Sequence, residues 1–270
     1  MYMEERQKEI YEMIQEKGSI SITEITEKYG ISNESARRDL RLLDEKGLCK
    51  RTHGGAIKAS IVDQRPPRNR DMKHMQRLVN YEEIAKIAAS MVKEEEVIYI
   101  TSGSLGFLML DYLPRNIHYT MVINSPVMAD MVKLWDNIEV YLAGGKMRMH
   151  GTGSIVDAMA RNFISQLNFD KAFLTGAGVN AEFGFSNATA ETADFQRTVI
   201  SHSRKNILMM PNHKVGCKAF MKVCDASEFD VLISDWDCLE EELTQLEELG
   251  VEVILVKEPN EHKETKEKHV

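Results

Sequence analysis

Residues 31–56, ISNESARRDLRLLDEKGLCKRTHGGA, decide the fold of the first part of this chain. Ser32 offers a side-chain oxygen to the free amides of a first helical turn, and Gly47 offers a stop after Lys46, so the spacing predicts a helix over 33–46. Within it Ala36, Leu40 and Leu43 recur at helical spacing and make one apolar stripe, which leaves Arg37, Arg38 and Arg41 pointing elsewhere. Ser32, Asn33, Glu34, Ser35, Arg37 and Arg38 crowd the N-terminal turns, the part of such a helix that reaches base edges in a duplex. Arginine there pairs with guanine in two-pronged fashion or holds phosphate. Residues 48–52 and 56–58 then read as two short extended pieces around His53-Gly54-Gly55, a hairpin whose Lys50, Arg51 and His53 are placed to touch a phosphate backbone. Arginines taken alone are equally well the solvated face of any amphipathic helix. The order of the parts is what makes a winged helix-turn-helix the expectation.

Upstream, residues 1–17 carry Ile10, Met13 and Ile14 on one helical side and stop at Gly18. After an extended piece over 19–21, Ser21 and Glu24 give the S-x-x-E pattern of a capping box, which starts a second helix running to Gly30. Gly30 then permits the sharp turn into the arginine-bearing helix.

Arg37-Arg38-Asp39-Leu40, Glu45-Lys46-Gly47-Leu48 and Arg51-Thr52-His53-Gly54-Gly55-Ala56 together resemble the signature of DeoR-type bacterial transcription regulators. Ser35 and Ala36 stand where that family usually has threonine and isoleucine, a departure that bears on the operator sequence and not on the fold.

Composition sets the outer bounds. At 270 residues, 43% hydrophobic, the chain fills one large or two modest cores, and two domains are expected. A net charge of −8 speaks against a polyanionic partner, but its distribution does not. Residues 31–80 hold 12 Lys and Arg against 6 Asp and Glu, a local +6 that leaves −14 for the remainder. Cys49, Cys217, Cys224 and Cys238 include no C-x-x-C pair, and no secretory or membrane-spanning stretch is present, so a reduced, cytoplasmic protein is expected. His213 with Cys217 and Cys224 does not have the spacing of a standard zinc site, so no metal and no cofactor is expected.

The expected organisation is a winged helix-turn-helix over 1–58, a linker over 59–80 stiffened by Arg65-Pro66-Pro67-Arg68-Asn69-Arg70, an α/β domain over 81–257, and a polar tail over 258–270. The linker arginines are read either as a DNA-contacting arm or as a solvated hinge. From residue 81 apolar strands at 97–100, 119–124, 139–143, 171–175, 206–210, 231–234 and 251–256 alternate with helices near 81–93, 106–112, 127–134, 157–166, 191–202 and 240–249. That rhythm predicts a mostly parallel sheet covered on both faces.

In such sheets ligands gather beyond the carboxyl ends of the strands. The loops there offer Thr101, Ser102, Gly103 and Ser104; Asn124; Gly144; Gly176, Ala177 and Gly178; and Lys214 as a point charge for phosphate. Phe169-Asp170-Lys171-Ala172-Phe173-Leu174, Leu142-Ala143-Gly144-Gly145 and Asn124-Ser125 resemble the same family's sensor domain, related in fold to ribose-phosphate isomerases and CoA transferases. The resemblance implies a sugar-phosphate effector held by the first loop, the Gly176 loop and Lys214. Leu105, Val179 and Pro211 depart from the family's hydroxyl, glycine and aspartate, which implies an altered anion site. Glu182, Glu191 and Asp194 lie near these loops, but no nucleophile and base are paired, so catalysis is not expected. The expectation is therefore a regulator, commonly a repressor in this family, that binds operator DNA as a homo-oligomer, dimer or tetramer, and answers to a phosphorylated metabolite.

Overall fold

The computed structural model describes residues 3–45, 48–52, 54–58, 79–149, 152–236 and 238–257. Lys46, Gly47, His53, the linker arginines and the tail from 258 lie outside the described residues. The chain divides between residues 65 and 66 into two compact units.

The first unit runs α1 (Met3–Lys17), β1 (Ser19–Ser21), α2 (Ile22–Tyr29), α3 (Asn33–Glu45), β2 (Cys49–Arg51) and β3 (Gly55–Lys58). The capping box forms as read: the Glu24 N–H donates to Ser21 Oγ at 3.1 Å, and the Ser21 N–H donates to Glu24 Oε2 at 2.8 Å. Gly30 takes the left-handed conformation, φ 63°, that lets the chain leave α2 sharply and enter α3. The Ser35 N–H donates to Ser32 Oγ at 3.2 Å, the cap expected there. Strand β3 lies between β1 and β2 and is antiparallel to both, so the Lys50↔Ile57 pair closes the wing hairpin and the Ile20↔Ala56 pair ties it into the unit.

Ala36, Leu40 and Leu43 are buried with Ile10, Ile14, Ile20, Ile25, Cys49 and Ala56. Asp39 shares that stripe and is only 1% exposed. A carboxylate so placed must be bonded, and Arg6 Nε reaches it at 2.7 Å while Gln7 Nε2 donates to it at 3.1 Å.

The second unit runs α4 (Val79–Ser90), β4 (Val97–Ile100), α5 (Ser104–Leu110), β5 (Tyr119–Ile123), α6 (Pro126–Val132), β6 (Ile138–Leu142), α7 (Ala158–Ile164), β7 (Lys171–Leu174), β8 (Gly178–Asn180), β9 (Gly184–Asn187), α8 (Ala190–Ser201), β10 (Asn206–Met209), β11 (Met221–Cys224), β12 (Val231–Ser234), α9 (Glu240–Glu248) and β13 (Glu252–Leu255). Seven strands form one sheet in the order β13-β12-β10-β7-β4-β5-β6, each pair parallel. Their side chains feed two cores, Tyr99, Val122, Leu174, Leu208 and Leu232 on one face and Ile98, Ile100, Phe173, Ile207 and Ile233 on the other. Burial on both faces explains why β4, β5, β7, β10 and β12 read as largely apolar runs, while the edge strands β6 and β13 are more exposed and carry Glu139 and Glu252.

Several elements differ from expectation, and α4 begins at Val79, inside the stretch expected to be linker. Strands β8, β9 and β11 make a separate antiparallel sheet, order β11-β9-β8. Gly178, expected in a loop, is the first residue of β8, and its Cα faces the Cys217 carbonyl so closely that a Cβ would stand 2.4 Å from that oxygen. These strands are short and hold Gly178, Asn180, Gly184 and Asn187, so neither apolar alternation nor length announces them. Helix α5 begins at Ser104, ahead of the expected 106.

Replacing Asp39 with alanine is expected to destabilise the first unit by about 2–3 kcal/mol, because Arg6 and the buried Gln7 lose their acceptor. Asp39→Asn, which keeps an acceptor, loses less. Urea unfolding followed by hydrogen exchange at the α3 amides measures both.

Candidate functional site

Two places in the chain gather functional chemistry, one in each unit. In the first, burial of the Ala36, Asp39, Leu40 and Leu43 side of α3 fixes the rotation of the helix about its axis, and Ser32, Asn33, Glu34, Arg37, Arg38 and Arg41 are exposed as a result. Ser35 is half-buried, its Oγ 3.1 Å from Ser32 Oγ within the cap. Arg37 and Arg38 form no ion pair among the described residues. Lys50 and Arg51 are exposed on β2, where the Arg51 N–H donates to Asp44 Oδ1 at 3.3 Å and so ties the wing back to α3. Arg37 from the helix and Arg51 and Thr52 from the wing line one cleft of about 290 Å3. Beneath it, burial pushes the Cys49 thiol up to about 12, so this cysteine packs as an inert apolar group. Two guanidinium groups converging on a cleft beside a helix end provide for phosphate or base-edge contact. His53 lies outside the described residues.

In the second unit the strand order reverses between β4 and β7: the chain moves outward from β4 to β6, then crosses to β7 and outward again to β13. This is the switch point at which parallel sheets open a crevice. Thr101, Ser102 and Gly103 follow β4; Thr175, Gly176 and Ala177 follow β7. The two loops touch so closely that a Cβ on Gly103 would come within 2.2 Å of Thr175 Cγ2. Thr101 and Ser102 are each 7% exposed, and Gly103 caps α5 without a side-chain bond. Lys214, in the short turn Asn212–Lys214 after β10, donates from Nζ to the Gly176 carbonyl at 3.0 Å. Three segments separated widely in sequence are thereby brought together: 101–104, 175–178 and 212–214.

Asn124 and Gly144 stand differently. Asn124 is 2% exposed, its Oδ1 accepting from the Tyr99 hydroxyl at 3.2 Å and its Nδ2 donating to the Ile155 carbonyl at 3.1 Å. Its amide thus anchors the loop that returns from β6. Gly144 is exposed beyond the edge strand β6, two strands away from β4, with open space around it.

Several residues were not singled out by sequence reading. Gln196 of α8 donates to the Thr175 carbonyl at 2.9 Å and holds the second loop. Arg148 donates to the Thr192 and Thr189 hydroxyls at 3.0 and 3.1 Å, fastening the loop after β6 to the start of α8. Asp235 accepts from the Asn212 N–H at 3.1 Å and so fixes the Lys214 turn that follows Pro211. The one available signal was Asp235 directly after a wholly apolar strand, where a carboxylate at a strand end is available to bond a neighbouring loop.

The carboxylates weighed as catalytic groups are all engaged. Lys218 bonds Glu182 and holds its carboxyl below the usual range; Arg161 and Arg197 pair with Asp194; Arg148 lies 3.9 Å from Glu191. Among the described residues no group of three or more His, Cys, Asp or Glu is placed to hold a metal ion, and no helix is long and apolar enough to cross a membrane.

Comparison with known proteins gives both units a counterpart. A family model described as the DeoR C terminal sensor domain matches residues 79–236, and one described as the DeoR-like helix-turn-helix domain matches residues 6–62. The HTH-type transcriptional regulator GlpR of Haloferax volcanii is 28% identical over 250 residues, 93% of this chain and 96% of that protein. The lactose phosphotransferase system repressor of Staphylococcus aureus is 29% identical over 258 residues, 94% of this chain and all of that protein. Among solved structures, a probable sor operon regulator from Shigella flexneri matches with a TM-score of 0.41 at 10% identity, over 66% of this chain and 91% of that one. Ribose 5-phosphate isomerase from Methanocaldococcus jannaschii matches with a TM-score of 0.36 at 14% identity, over 50% of this chain and 52% of that one.

Gly103→Ala is expected to destabilise the second unit by about 1–3 kcal/mol, since the added methyl must displace the Thr175 side chain and part the two loops. A drop of several degrees in Tm by calorimetry, absent in a Gly144→Ala control, is the expected reading.

Proposed function

This chain belongs to the DeoR family of DNA-binding transcription regulators, and from that premise we propose how its two units work. The first unit reads operator DNA through α3, with Arg37, Arg38 and Arg41 directed at base edges and phosphates and with Lys50, Arg51 and His53 of the wing on the flanking backbone. What carries this reading is the disposition of α3: its apolar stripe is buried while Arg37 and Arg38 stand exposed and without an ion-pair partner among the described residues. One such unit contacts too few base pairs for operator-level selectivity, so the protein acts as a homo-oligomer on paired half-sites. We infer that it is a repressor acting in the cytoplasm.

The second unit is read as the receptor for a small phosphorylated metabolite of the sugar-phosphate class. Its anion site is the meeting of the 101–104 loop, the Gly176 loop and Lys214 at the switch point. Backbone amides there and the Nζ charge supply what a phosphate needs, and the leaving of the Gly176 carbonyl by Lys214 is the adjustment that binding requires. Such a ligand alters DNA affinity only as far as it binds the DNA-competent and DNA-incompetent arrangements unequally.

Alanine at Arg37 or Arg38 is expected to weaken binding to a selected operator by about 1–3 kcal/mol and to flatten its salt dependence. Gel-shift titration at two salt concentrations measures both, and unchanged affinity removes these residues from the interface. Against a panel of hexose, pentose and triose phosphates, at least one compound at about 100-fold its Kd is expected to raise Tm by several degrees. Lys214→Ala should abolish that rise; a flat response from the wild-type chain across the panel refutes the sugar-phosphate assignment.

A further inference from the structure

Two contacts join the Lys214 turn to the first turn of α4. The Asn80 side-chain amide donates to Asp235 Oδ2 at 2.6 Å, while Oδ1 of the same carboxylate accepts the Asn212 N–H at 3.1 Å. Beside them the rings of Tyr81 and His213 stack, centroids 6.4 Å apart and planes within 12° of each other. Asp235 is 1% exposed, and burying a carboxylate is costly unless its oxygens are bonded. Its mounting is rigid, since it follows β12 directly and the preceding Ser234 Oγ donates to the Met210 carbonyl at 2.7 Å. Asn212 opens the short turn that carries Lys214 toward Gly176. Asn80, for its part, is the second residue of α4, the first described element of the second unit, and along the sequence it follows residues 59–78 and the winged unit.

We propose that Asp235 and Asn80 are positioning residues that couple the Lys214 turn to the first turn of α4. An anion drawn to Lys214 is then felt where the connecting segment joins the sensor. The inference rests on the reading of the Lys214 loop as the effector site, and it adds the route by which occupancy leaves that site. Movement of Asn212 with the turn must either break its bond to Asp235 or shift the carboxylate. Because β12 holds the carboxylate backbone in place, the shift is passed to the Asn80 amide and the His213–Tyr81 stack. Bonded and broken arrangements are discrete, which is what an element of a switch requires.

Hydrogen exchange of the full chain without ligand tests the coupling. Asn80→Ala and Asn80→Asp are each expected to raise exchange at the Asn212, Lys214 and Val215 amides about tenfold, the scale of one lost bond, with β4 and β5 unchanged. Combining Asn80→Asp with Asp235→Asn reverses donor and acceptor across the same gap and should return the turn to its wild-type rate. Wild-type exchange in the Asn80→Ala chain, or a double variant that stays as fast as Asn80→Asp alone, overturns the proposal. A sugar-phosphate panel without response would strike the effector reading and leave this ligand-free result standing.

Discussion

The buried Asp39 carboxylate, clasped by Arg6 and Gln7 in the seam between α1 and α3, is the constraint on which the winged unit depends. An apolar stripe of three residues alone tolerates some rotation, because Ala, Leu and Leu gain nearly the same burial over a range of angles. A carboxylate at 1% exposure does not, since leaving it unpaired costs several kcal/mol. The ion pair therefore selects one rotation of α3, and that rotation alone determines which side of the helix displays Arg37 and Arg38. The polar contact contributes specificity where the apolar contacts contribute stability.

A comparable constraint governs the sensor. Seven parallel strands need crossovers, and the reversal between β4 and β7 leaves two loops side by side with no helix between them. Gly103 is required because the opposing Thr175 methyl occupies the place of any Cβ. The same closeness brings the loop after β4, the Gly176 loop and Lys214 together, so the packing that requires glycine also assembles the proposed anion site.

Much of this was legible in the residues. Caps at Ser21, Ser32 and Gly30 are local chemistry, complete within four residues, and they form as read. The five inner strands of the parallel sheet announce themselves because both faces are buried. The antiparallel β8-β9-β11 sheet does not, because β8 and β9 are short and hold glycine and asparagine, and β11 joins β9 only from beyond α8 and β10. Asp39 stood in plain view within the stripe of α3, yet its partner Arg6 is 33 residues away, and no local pattern reports such a pairing. Asn124 and Lys214 both follow a strand, and Lys214 adds a point charge suited to phosphate. Only the fold distinguishes them: one amide is committed to Tyr99 and Ile155, while the other side chain reaches the switch-point loop.

Charge and coupling then meet in a single argument about scale. The −14 carried outside residues 31–80 repels phosphate, which favours the proposed approach of DNA through the basic segment over other modes. Against that background a regulator needs only a modest change in its DNA-competent fraction, since a coupling free energy of about 1–3 kcal/mol already alters affinity some 5- to 150-fold. One neutral hydrogen bond contributes about 1 kcal/mol net, and a bond to a buried carboxylate about 1.5–3. In the proposed Asn80–Asp235–Asn212 bridge a single bond of the second kind is already of the size that such a coupling demands.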